Sequence, residues 1–159
     1  MWQRIQTVFL AIAILSLVAS IFLPIWGFND PSTGKTHQLF AMHYMVKEPG
    51  TNGTAITSAY FPYSLTVVLM VAAITIAAIE IKSFKNRMLQ MKLGALNSIF
   101  MAASIGSAVY FSSELLKSLQ GGQYGLGLWL PGIAVICNLL ANFFIRKDER
   151  LVRDSDRLR

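Results

Sequence analysis

Glu80 is the one carboxylate set within a long apolar run, and three amides, Asn97, Asn138 and Asn142, lie within runs of the same kind. Charge in hydrocarbon is costly, so a carboxylate kept there is by default a candidate for proton or ion handling. A structural role competes with it. Glu80 stands two residues from Lys82, near the headgroup level, where it can pair with that lysine or with a neighbouring amide. At a rise of about 1.5 Å per residue, all four polar side chains fall in the half of their spans nearer the 82–92 linker. His37 and His43 suggest a metal site, but on a single strand at about 3.3 Å per residue they stand about 20 Å apart, and both read as surface histidines. Residues 121–127, Gly-Gly-Gln-Tyr-Gly-Leu-Gly, superficially resemble a phosphate-binding loop. They lack the following Lys-Ser/Thr and the preceding strand, and read as a flexible turn. Cys137 is the only cysteine, which excludes a disulfide within the chain and a cysteine-based metal centre. HExxH, Walker and nucleophile-elbow patterns are absent, as are paired carboxylates in mid-membrane. No catalytic, cofactor-binding or metal-ligating residue is therefore expected.

Four elements must position these groups. They are the apolar runs 5–26, 62–81, 91–111 and 126–145, each near the 20 or so residues that cross a hydrocarbon core of about 30 Å. The chain is 54% hydrophobic and 14% charged, which leaves one membrane domain over residues 1–159 and no room for a soluble catalytic one. Of 14 Lys and Arg, 11 lie at Arg4, in the 82–92 linker or beyond residue 145, and only Lys35, Lys47 and Lys117 lie elsewhere. By the positive-inside bias, both termini are cytoplasmic and residues 27–60 form an outer loop. The net charge of +6 is then explained by flanks facing anionic headgroups, and nucleic acid is not expected as a partner. Arg4 and the following run resemble a signal peptide, but apolar residues continue to Trp26, so a retained first helix is expected, with Trp26 in the interfacial aromatic belt.

Within the outer loop, 36–46 and 55–60 are rich in strand formers, and 48–53 carries Pro-Gly and Asn-Gly turn signals. A small hairpin is expected, with 26–28 as a candidate third strand. Two strands alone are marginal in water, so it should pack on the helix ends or on a partner. Asn52-Gly53-Thr54 is a formal glycosylation sequon, although Asn-Gly already has a turn role. Pro62 suits the first turn of span two. The short basic linker makes spans two and three antiparallel neighbours, and span three should run on to about residue 118.

Gly94, Ser98, Ala102 and Gly106 recur every four residues in span three. Small residues on one ridge allow close helix approach, within the bundle or towards a second copy. The 146–159 tail alternates charge. Its i,i+4 pairs Glu149/Arg153 and Arg150/Asp154 favour a helix continuing out of the membrane. Arg150, Leu151, Arg153, Asp156, Arg157 and Leu158 give it a mixed surface suited to docking a protein.

Two segments carry a family resemblance. Met1-Trp2-Gln3-Arg4-Ile5-Gln6-Thr7 and the closing segment 140–159, with Arg146-Lys147-Asp148-Glu149-Arg150-Leu151, are similar to the ends of the uncharacterised four-span inner-membrane protein family of the Bacteroidetes lineage, a domain of unknown function. The resemblance implies a bacterial inner-membrane protein and supplies no activity, cofactor or catalytic residue. The layout is also similar to claudin-type four-span proteins, although Trp26-Gly27 stands without that family's two loop cysteines.

The resulting expectation is an all-α membrane protein with four transmembrane helices and a small outer β-hairpin. It is expected to be non-enzymatic, a scaffold or accessory subunit that contacts the bilayer and a protein partner through its tail or outer loop, with homo-oligomerisation possible. A small oligomeric transporter or channel is one alternative; the outer half of the spans is too apolar to offer it a polar path. An interface enzyme built on Glu80 and the amides is the other.

Overall fold

The computed structural model describes residues 3–50, 53–84 and 86–157. Four helices make up the body: α1 (Gln3–Phe22), α2 (Leu65–Lys82), α3 (Arg87–Leu119) and α4 (Leu126–Arg157). All four are long and apolar enough to cross a membrane. α1 lies against α2 and α4, and α3 lies against α2 and α4, so the four close into a ring around one core. The core face of α3 is Gln90, Gly94, Asn97, Met101, Ser104, Ala108, Phe111, Ser112 and Leu115, spaced by three or four residues except at the adjacent pair Phe111 and Ser112, so that one stripe is turned inward.

One end of the bundle carries a sheet, and it is larger than the expected hairpin. Strands β1 (Trp26–Asn29), β2 (Thr36–Leu39), β3 (Tyr44–Gly50), β4 (Gly53–Ala59) and β5 (Gln123–Tyr124) form an antiparallel sheet in the order β4-β3-β2-β1-β5. The single strand expected over 36–46 breaks into two because Ala41 is drawn into the top of the bundle. Ala41 is buried, and its carbonyl accepts the Val67 N–H at 3.1 Å, one of the first-turn donors of α2 that no helical carbonyl can reach. Phe40 N–H closes the turn on His43 O at 2.9 Å. Of the expected 48–53 turn, residues 51 and 52, and with Asn52 the sequon, lie outside the described residues.

Two boundaries also differ. α1 stops at Phe22, because Pro24 cannot continue a helix, and the chain turns at once into β1. Trp26 therefore does not sit in an interfacial belt: it is 0% exposed in the core. α2 begins at Leu65 with Ser64 as its N-cap, and Pro62 sits in the preceding turn.

The sheet is fixed to the helices by a chain of rings. Trp26 stacks on Phe28, Phe28 meets His37, His37 stacks on Tyr44, Tyr44 meets Tyr63, and Tyr63 meets Phe111 of α3 edge-on, with centroids 5.3–6.3 Å apart. Such pairs are each worth about 0.5–1.5 kcal/mol beyond the area they bury. The glycine-rich segment is part of this joint and not a loose turn. It supplies β5, and Gly122, at φ +117, lies where a side chain would strike the Trp26 indole.

α4 contains Pro131 in its second turn. Proline has no N–H to offer the carbonyl four residues back, here Gly127 O. Ser20 of α1 donates its hydroxyl to that carbonyl at 2.6 Å, and both residues are buried. The break in one helix is thereby filled by a neighbour.

Candidate functional site

The polar groups inside the bundle gather away from the sheet, near the 82–92 linker. Asn97 and Asn138 are both fully buried, at the contact of α3 with α4. Asn97 Nδ2 donates to Asn138 Oδ1 at 3.2 Å. Asn138 Nδ2 donates to Gly94 O at 3.1 Å and to Ser98 Oγ at 2.9 Å. Ser98 Oγ in turn donates to Gly94 O at 3.0 Å. A side chain at Gly94 would land on the Asn142 amide, so the absence of a Cβ is what lets α4 bring its amide against α3.

Glu80 lies apart from that network. It is 0% exposed, and the side chain of Gln90 donates to its main-chain carbonyl at 3.2 Å. Neither carboxylate oxygen has a hydrogen-bond partner among the described residues, so the pairing expected with Lys82 or an amide is not formed. Residues i and i+2 of a helix do not face one another, which is why Lys82 cannot serve. Asn97 Oδ1 and Asn142 Oδ1 are likewise unpaired. All of these orphans are oxygens, each able to accept a hydrogen bond from a hydroxyl or a water.

The small-residue ridge divides. Gly94 and Ser98 pack on α4, whereas Ala102 and Gly106 are exposed, and nothing lies within 4 Å of a Cβ built at Gly106. A four-residue step advances by about 400°, so the ridge drifts about 40° per step and leaves the contact. Nearer the sheet, buried hydroxyls are engaged: Thr66 Oγ1 bonds Ser107 Oγ at 2.8 Å, and Ser104 and Ser112 donate to Met101 O and Val109 O.

The histidines are not free on the surface. His37 is 9% exposed, and its Nδ1 meets the Tyr44 hydroxyl at 2.5 Å. His43 lies between the rings of Phe40 and Tyr60. Among the described residues no three His, Cys, Asp or Glu side chains gather as a metal would require.

The sheet has one bare edge that the sequence did not reveal. β4 pairs with β3 along its whole length, and no strand lies on its other side among the described residues. Residues 54–61 are all exposed, Phe61 at 87% and Ile56 at 60%. At the opposite end of the bundle α4 runs unbroken into the tail. Arg87 ties it to α3, donating to Asp148 O at 3.2 Å and facing the Asp148 carboxylate at 3.6 Å. Arg150 and Leu151 are exposed. The side chains of Arg153, Asp156 and Arg157, and all of Leu158, lie outside the described residues.

A family model described as Domain of unknown function (DUF4293) matches residues 2–158, and the chain belongs to that family. No curated protein matches it.

Proposed function

We propose that this member of the family is a non-enzymatic, multi-pass protein of a bacterial inner membrane, a scaffold or accessory subunit that docks an outer protein onto its sheet. The four apolar helices support the membrane placement, and the 11-to-3 division of basic residues supports cytoplasmic termini with the sheet outside. The Bacteroidetes range is part of the same proposal and rests on the two terminal segments.

The observation that carries the docking role is β4. An edge strand offers a row of unpaired N–H and C=O groups, and proteins usually blunt such edges with lysine, proline, bulges or very short strands. β4 is seven residues long, Gly-Thr-Ala-Ile-Thr-Ser-Ala, with neither lysine nor proline. A partner segment adding a strand there would gain main-chain hydrogen bonds, with Ile56 and its exposed neighbours supplying side-chain contact. The tail is a second docking element, held in direction by the unbroken α4.

Mild-detergent affinity purification of wild-type and Ile56→Lys proteins tests this reading. The wild type should bring down an outer protein that the variant loses, while both keep the same helical content and melting point. Recovery of the same protein by the variant would overturn it. A transporter reading draws on the unpaired oxygens of Glu80, but nearer the sheet the buried hydroxyls of Thr66, Ser104 and Ser112 are already bonded.

A further inference from the structure

The groove between α3 and α4 at the end away from the sheet has an apolar floor, a polar step and a basic mouth, in that order. Its inner part is a cavity of about 330 Å³ lined by Ala95, Ser98, Leu139, Asn142, Phe143 and Arg146. Nearer the helix ends, Met88 and Met91 of α3 face Arg146, Glu149 and Arg150 of α4 across a further hollow, and Phe143, Arg146, Lys147 and Arg150 border a third on α4 itself. Arg146 lines all three parts. From this we propose that the α3–α4 groove is a binding site for one anionic phospholipid, its phosphate held by Arg146 and Arg150 and its glycerol region against Asn142.

Depth is the first support. The apolar part of α4 ends at Ile145, so Arg146 stands at the headgroup level by length alone. Asn142 is one turn deeper, about 6 Å, the depth of glycerol esters below their phosphate. Leu139 and Phe143 are largely exposed and give the acyl chain its wall.

Charge is the second support. Arg146 and Arg150 share a helix face at i,i+4, where like charges repel and destabilise the helix. Among the side chains described, which end at Leu151 and so leave out Asp154, neither arginine has an ion-pair partner, although Glu149 lines the same mouth. An anion between them would relieve the repulsion, and guanidinium pairs suit phosphate because their donors are fixed in a fork. The third support is Asn142. It is almost fully buried, yet its Oδ1 has no partner. A half-turn of the amide offers a donor to an ester carbonyl or an acceptor to a headgroup hydroxyl. Simple attraction to a charged leaflet would require neither a groove nor an amide at that depth.

The purified full chain in nanodiscs of phosphatidylcholine with a minor fraction of phosphatidylglycerol provides the test, read by native mass spectrometry of the lipid that stays bound on release. The wild type should retain phosphatidylglycerol over phosphatidylcholine. Arg146→Ala with Arg150→Ala should lower that preference about tenfold, equivalent to about 1.4 kcal/mol. Lys82→Ala with Lys117→Ala removes as much charge outside the groove and should leave the preference in place. Asn142→Leu should weaken retention without altering the helical spectrum. The site is refuted if the two charge variants lose the lipid equally, or if the arginine variant keeps it. Glycerol 3-phosphate or inorganic phosphate displacing the lipid at matched concentration would identify a free-anion site and overturn the lipid assignment.

Discussion

Ser20→Ala is the most searching single perturbation of the helical bundle. Ser20 Oγ gives Gly127 O the hydrogen bond that Pro131 cannot, at 2.6 Å between buried groups. Removing the hydroxyl leaves a buried carbonyl without its donor, a loss of about 1–3 kcal/mol in proteins generally. Side-chain hydrogen bonds measured within membranes average about 0.6 kcal/mol and reach about 1.7, which brings the expected cost to about 1–2 kcal/mol. The origin of that cost can be isolated. In a Pro131→Ala background residue 131 regains its N–H, α4 closes its own bond to Gly127 O, and Ser20→Ala should then cost less than about 0.5 kcal/mol. The cycle should therefore show a coupling of about 1 kcal/mol. Equilibrium unfolding of the four proteins in mixed micelles measures it. If the two substitutions add to within about 0.3 kcal/mol, Ser20 does not replace the missing donor and the pairing of α1 with α4 has another basis.

Other substitutions probe the remaining joints. Asn138→Leu deletes the bonds to Asn97, Gly94 and Ser98 and leaves Asn97 buried with an unpaired amide, so it should cost about 2–4 kcal/mol in the same unfolding assay, and a cost below about 0.5 would show the network to be incidental. Gly94→Leu should strongly destabilise the bundle because its side chain enters the space of the Asn142 amide, whereas Gly106→Leu should leave stability unchanged; the reverse order would mean that the α3–α4 contact lies elsewhere. Ser32 and Thr33 donate to Asp30 and hold its carboxyl well below the usual carboxylate range. A depressed folded value stabilises the β1–β2 turn fully above the unfolded value of about 3.9 and loses that contribution only as pH falls through the folded value. Carboxyl chemical shifts followed by NMR should thus show Asp30 still ionised at pH 3, and a midpoint near 4 would contradict the turn geometry.

The four helices were legible because hydropathy over about 20 residues is a local signal, and the helical tail because its charges repeat at i,i+4. The sheet was less so. Nothing local marks the break at 40–43; it arises because Ala41 completes the first turn of α2 from a distance. β5 is two residues long within a glycine-rich stretch, and its glycines answer to the Trp26 indole, which no window of sequence places beside them. Trp26 itself reads the same whether it ends a helix or begins a strand, and the signal that decides is Pro24. Glu80 stays unpaired among the described residues because Lys82, close in sequence, lies on a different face of α2. The four-residue spacing of small residues is legible in the sequence, but such steps wind around a helix, so Gly94 and Ser98 reach α4 and Gly106 does not. The amide network was legible only as composition, since its partners lie about 40 residues apart.

Photo-crosslinking in intact cells tests the docking role most directly. A photoreactive residue would be placed in turn at Thr54, Ile56 and Ser58 of β4, with Val68 on the exposed face of α2 as the lipid-facing control. The expected result is one protein adduct of the same mass from all three β4 positions and none from Val68. Adducts from neither site, or from Val68 as readily as from β4, would contradict a partner seated on the edge of the sheet.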